Sequence, residues 1–133
     1  MKKMLSLVIA GILLLSCCIG VGAAVPEIVT PMWDNINTMN NSINFSGTDG
    51  VAQASVFGKS GTTAVSGTLE VYKQTTNGWE FVGSDSDSVS GIYMSLQVAF
   101  DGEEGEYYKA VFEVSVTRNG VVEPETKTVY KTC

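Results

Sequence analysis

The chain has 133 residues, with 14 acidic and 8 basic side chains, three cysteines and no histidine. An acidic balance without a basic stripe repels polyanions and excludes nucleic-acid binding. The lack of histidine removes the usual general base, the commonest metal ligand and the pH switch together, so neither a Ser-His-Asp nor a Cys-His arrangement can be assembled.

Lys2 and Lys3 open the chain and an apolar run follows, with no further charge until Glu27. Gly20 to Ala24 are small or aliphatic, and Val21 and Ala23 suit the positions before a signal-peptidase cut. Residues 1–23 therefore read as a secretory signal peptide cleaved after Ala23, which implies an extracellular protein. Two alternatives compete. Leu14-Leu15-Ser16-Cys17 resembles a bacterial lipobox, in which Cys17 would be lipidated and hold the protein at the cell surface. Met4 to Val25 is also long enough to span a bilayer uncleaved, although it contains three Gly and two Ser. Cleavage would remove Lys2 and Lys3 and leave 14 acidic against 6 basic residues, net −8. It would also leave Cys133 as the sole thiol, either inert on a terminal tail or the link of a disulfide-bonded dimer.

Residues 24–41 carry Pro26, Pro31 and an Asn-rich run, and read as an irregular leader. Trp33 within it is expected to cover one end of a core. Residues 42–133 read as a single β-domain. Ser42 to Ser46 forms a short strand, and Val51 to Phe57 a second with Ala52, Ala54 and Val56 on one face. Val65 to Gln74 alternates with Val65, Gly67, Leu69 and Val71 inward. Asn77-Gly78 signals a hairpin that returns through Trp79 to Val82. The polar stretch from Gly83 to Gly91 reads as a loop. Two longer strands follow, Ile92 to Phe100 and Tyr107 to Thr117, with an acidic turn between them. Their period-2 rows place Ile92, Met94, Leu96, Val98 and Phe100 opposite Tyr108, Ala110, Phe112, Val114 and Val116 across a core. Asn119-Gly120 turns the chain into a last strand, which Pro124 confines to a sheet edge or a bulge. Seven strands at this spacing predict an all-β, immunoglobulin-like or fibronectin-like antiparallel sandwich.

Chemistry has few places to reside, and no cofactor is implied. Asp101, Glu103, Glu104 and Glu106 cluster in the acidic turn, but a catalytic acid needs an apolar setting that such a turn does not provide. Calcium suits these oxygens better, and Asp85 with Asp87 make a second weak candidate. Neither stretch has the EF-hand spacing, and a solvated acidic loop explains both. Trp79, Tyr93 and Tyr107 fall on outward positions, as do Tyr72 and Tyr130. They suit glycan stacking or protein contact, but cross-strand pairing is the simpler explanation, since single exposed aromatics are ordinary.

Four segments carry a resemblance. They are Pro31-Met32-Trp33, Gly67-Thr68-Leu69-Glu70-Val71-Tyr72-Lys73, the pair Trp79 and Val82, and Gly105-Glu106-Tyr107-Tyr108-Lys109-Ala110-Val111-Phe112. Together they resemble small secreted proteins of Gram-positive, clostridial-type bacteria grouped as a domain of unknown function. The resemblance implies a secreted β-sandwich and brings no catalytic residues. The expectation is a secreted, non-enzymatic binding or interaction module whose partner is a protein or a glycan, with membrane attachment only if Cys17 is lipidated.

Overall fold

The computed structural model describes residues Met32–Cys133. The signal-peptide reading of residues 1–23, the lipidation candidate Cys17 and the first part of the leader lie outside the described residues. Seven strands follow in order: β1 Ile36–Ser46, β2 Asp49–Gly58, β3 Thr62–Thr75, β4 Gly78–Val89, β5 Tyr93–Asp101, β6 Tyr107–Arg118 and β7 Val121–Thr132. All pairings are antiparallel, in a three-stranded sheet β1-β2-β5 and a four-stranded sheet β4-β3-β6-β7. Three hairpins each stay within one sheet, and the connections β2–β3, β4–β5 and β5–β6 cross between sheets. This is the expected sandwich, but β5 and β6 do not face each other as expected: across the layers β5 lies against β3 and β4, and β6 against β1 and β2.

The core follows the inward rows. Ala52, Ala54, Val56, Met94, Leu96 and Val98 of one sheet meet Val65, Leu69, Val71, Tyr108, Ala110, Phe112, Val114 and Val116 of the other, all buried. Fully burying each large apolar side chain contributes roughly 1.5–3 kcal/mol. Gly67 lies in the inward row of β3 because a Cβ there would come within 2.8 Å of the Met94 Cε and 2.7 Å of the Glu113 carbonyl oxygen. Buried Tyr108 keeps its hydroxyl satisfied by accepting from the Glu103 amide at 2.9 Å. That bond ties the acidic turn to the start of β6, as a tyrosine corner does in immunoglobulin-like sandwiches.

The structure departs from the sequence reading at several places. Strand β1 begins at Ile36, so the last six residues assigned to the leader, 36–41, belong to the sheet. Asn35, just before the strand, and Asn41 within it are structural. Asn35, 4% exposed, donates its Nδ2 to the carbonyls of Val116 and Val121, both at 2.9 Å. Asn41 Nδ2 donates to the carbonyls of Ala110 and Lys127. Glu123 of β7 accepts the amides of Asp34, Asn35 and Ile36 at 2.7, 3.2 and 3.1 Å. Trp33 packs on the core and donates its Nε1 to Glu125 at 3.0 Å. Side chains thus stitch the edge strands β1 and β7 together across the layers.

Gly83 to Val89 is not a loop but the second half of β4, where Ser84 to Val89 pair with Glu70 back to Val65. A fourth-strand ladder overrides the poor strand propensity of Ser and Asp. At the other end of this hairpin the two-residue loop is Thr76-Asn77, because Thr75 pairs with Gly78. The Thr75 hydroxyl accepts from the Asn77 amide and donates to the Gly78 carbonyl. The β6–β7 hairpin turns at Asn119-Gly120, both with positive φ (53° and 75°), as a type I′ turn requires. Ile92 precedes β5 and is exposed instead of inward. Pro124 sits on β7, an edge strand.

Candidate functional site

The outward positions of the four-stranded sheet alternate with its core row, so they share one face. The ladders place Phe81 opposite Tyr72, Tyr72 opposite Lys109 and Lys109 opposite Tyr130. One row therefore crosses all four strands. Trp79, two residues before Phe81, and Tyr107, two before Lys109, extend it by one further row. The rings converge: Trp79 lies 6.1 Å from Tyr107 and 6.0 Å from Tyr130, centroid to centroid. Tyr107 and Tyr130 stack at 5.7 Å and 13°. Tyr72 meets Phe81 edge-on at 5.9 Å. The Lys109 Nζ sits 4.4 Å from the centre of the Trp79 ring and 5.2 Å from that of Tyr72. A cation held between two ring faces stiffens this patch.

The patch is accessible. Phe81 is 57% exposed, Tyr130 53%, and Trp79 and Tyr107 36% each. The Tyr72 hydroxyl donates to the Glu70 carboxylate. That bond raises the Tyr72 pKa above its usual 10.0, helped by partial burial and the negative charges of Glu70 and Glu113. Further along the same face the aromatic rows end. A shallow groove of about 900 Å³ takes their place, lined by Thr68, Ser86, Ser88, Glu113, Ser115 and Thr126 among others.

Of the aromatic candidates, the structure joins Trp79, Tyr107, Tyr72 and Tyr130 and separates Tyr93 from them. Tyr93 lies on the outer face of the three-stranded sheet, opposite Phe57 at 4.5 Å. Around that pair the face is amide- and hydroxyl-rich, with Gln53 donating to Gln97 across the strands at 3.2 Å. Phe81 was missed by the sequence reading; its i, i+2 spacing from Trp79 on one strand was the available signal.

The acidic candidates are dispersed. Asp85 and Asp87 lie on an extended strand rather than in a loop. The Asp85 carboxylate accepts the Gln97 amide of edge strand β5 at 3.1 Å, and the Asp87 carboxylate accepts the Ser88 amide at 2.8 Å. Asp101 ends β5, and Glu104 lies in the turn beyond it. Glu103 pairs with Lys73 at 3.0 Å, and that carboxylate raises the lysine pKa above 10.5. The Glu106 amide donates to the Glu103 carbonyl and its own carbonyl accepts the Cys133 amide. Among the described residues no group of three or more Asp, Glu, His or Cys side chains is placed to hold a metal ion. Cys133 is not on a free tail: Gly105 donates to its carbonyl at 3.0 Å, and its half-buried thiol packs against the core.

No protein-family model and no curated protein matches the chain. Among solved structures it is similar to the solution structure of R. palustris CsgH, with a TM-score of 0.44 and 17% sequence identity, covering 71% of this chain and 89% of that one.

Proposed function

We propose that the protein is a secreted, non-enzymatic binding module that works through the outer face of its four-stranded sheet. The observation that carries this is the ring cluster of Trp79, Tyr107 and Tyr130, with Lys109 seated on the Trp79 ring. Trp and Tyr dominate the energetics of recognition surfaces, because they bury large area at low conformational cost. Core packing does not account for their placement, since all three point away from the layer interface. The sandwich presents them on a framework whose own polar groups are largely satisfied by ladders and cross-sheet bonds. Signal-peptide export delivers such a module to the cell exterior, and lipidation at Cys17 is the alternative that would tether it there.

Co-sedimentation of the purified protein with envelope material from the source cells tests the reading. Wild type is expected to pellet with the envelope and Trp79→Ala to remain in solution while melting as wild type does. Equal pelleting of the two proteins, or no pelleting of wild type, sinks it.

A further inference from the structure

The same face indicates the chemistry of what it binds, an inference that rests on the binding-face reading above. A protein partner calls for an apolar centre enclosed by a polar rim. Here the two kinds of surface lie end to end. The aromatic rows occupy one end, and beyond Glu70 and Ser84 the outward positions turn to Thr68, Ser86, Thr126 and then Ser66, Ser88, Ser115. Among the described residues, the Ser and Thr hydroxyls that donate to protein groups are those of Thr62, Thr63 and Thr75, all outside this groove. The groove hydroxyls therefore present free donor and acceptor capacity. From Tyr107 to Ser115 the face runs about 27 Å at the rise of an antiparallel strand.

Charge narrows the ligand further. Among the described residues Lys109 is the one cation at an outward register position of this sheet, and its ammonium is already held by Trp79 and Tyr72. Of the other described cations, Lys73 pairs with Glu103, Lys127 donates to the Met39 carbonyl, Arg118 to the Ser60 carbonyl and Lys59 to the Trp33 carbonyl, while exposed Lys131 stands opposite buried Tyr108, out of the outward row. Glu70 and Glu113 supply negative charge on the face, in a chain that is acidic overall. An anionic polymer meets Glu70 and Glu113 here, with Lys109 the sole outward cation of the sheet among the described residues.

We propose that the ligand is an extended, uncharged polysaccharide. Its sugar rings lie on Trp79, Tyr107 and Tyr130, and its hydroxyls meet the Ser, Thr and Glu113 side chains of the groove. A sugar polymer repeats an apolar ring face and hydroxyl edges along its length, which is the sequence of surfaces this sheet presents.

The envelope material of the preceding experiment, divided and treated with either protease or periodate, provides the first test. Periodate cleaves vicinal diols of sugars and leaves polypeptide backbones intact. Pelleting is expected to survive protease and to fall at least tenfold after periodate. The reverse pattern overturns the polysaccharide while leaving the binding face in place, provided Trp79→Ala still abolishes pelleting. The second test is affinity electrophoresis through gels cast with uncharged glucans, xylans, mannans and galactans, or with polygalacturonate. Wild type is expected to be retarded by an uncharged polymer. Trp79→Ala is expected to lose that retardation about tenfold or more, Thr126→Arg to weaken it by crowding the groove from an exposed position, and Tyr93→Ala to keep it. Retardation by polygalacturonate alone, or by none of the polymers, overturns the proposal.

Discussion

The two outer faces of this sandwich are built by the same alternation and differ in what they display. On the three-stranded sheet, Phe57 and Tyr93 form one isolated pair, and Gln53, Gln97 and Ser residues make an ordinary solvated surface. On the four-stranded sheet, outward aromatics from all four strands lie together, and a lysine sits on two of the rings. A pair of rings needs no function beyond cross-strand stabilisation. Five outward rings from four strands, two of them holding one cation, are more than strand pairing requires. Counting exposed aromatics along the chain does not separate the two cases. Their distribution over the two sheets does.

The contrast can be broken from the inside. Both faces hang on one core, so Phe112→Ala should destabilise by about 3–5 kcal/mol and degrade both together. Chemical denaturation checks it, and a loss confined to one face would mean the layers are not coupled through Phe112. A smaller loss is expected at the β1–β7 seam. Replacing Glu123 by Ala leaves the amides of Asp34, Asn35 and Ile36 without their acceptor. The expected cost is about 1–3 kcal/mol, with hydrogen exchange rising first in β1 and not in the aromatic rows. Tyr108→Phe removes one hydrogen bond to the acidic turn and should cost about 0.5–1.5 kcal/mol, read as a lower melting temperature with the fold retained.

The smallest effect concerns pH and separates Tyr72 from the other tyrosines. Its pKa is raised in the folded state, first by the bond to Glu70. A group that holds its proton more tightly when folded contributes stability in full below its unfolded pKa, and loses it as pH rises through the folded value. Stability should therefore decline above about pH 10, and Glu70→Gln should flatten that decline. A phenolate absorbance titration of wild type against Tyr72→Phe should show Tyr72 ionising later than a model tyrosine. Ionisation at the usual pH would mean that Glu70 does not hold it.

Much of this was legible in the sequence. The inward rows of β2, β3, β5 and β6 follow from strict alternation, and Asn119-Gly120 announces its own turn. The errors share a cause. Asn37 to Asn41 and Ser84 to Ser88 have residue types that favour turns when alone, yet both are edge-strand segments held by a neighbour's ladder. Local propensity cannot register a partner distant in sequence. The seam made by Asn35, Asn41 and Glu123 was hidden for the same reason, since its partners lie more than sixty residues apart. For the site, parity marked Trp79, Tyr93 and Tyr107 as outward. Which sheet each strand joins decides whether they meet, and that depends on the three crossings between layers. Composition made Asp85 and Asp87 a weak metal candidate in an expected loop; pairing with β3 instead extends the segment and gives Asp85 the Gln97 amide.

The most direct test sets one face against the other. Trp79→Ala and Tyr93→Ala remove one exposed aromatic each, from opposite sheets, and both should melt within a few degrees of wild type. Co-sedimentation with source-cell envelope material is then compared for the three proteins. The account predicts that Trp79→Ala loses binding by about tenfold or more, the size expected when an aromatic anchor worth at least about 1.4 kcal/mol is removed, while Tyr93→Ala binds as wild type. Loss in Tyr93→Ala with Trp79→Ala unaffected, or equal behaviour of the two, would contradict it.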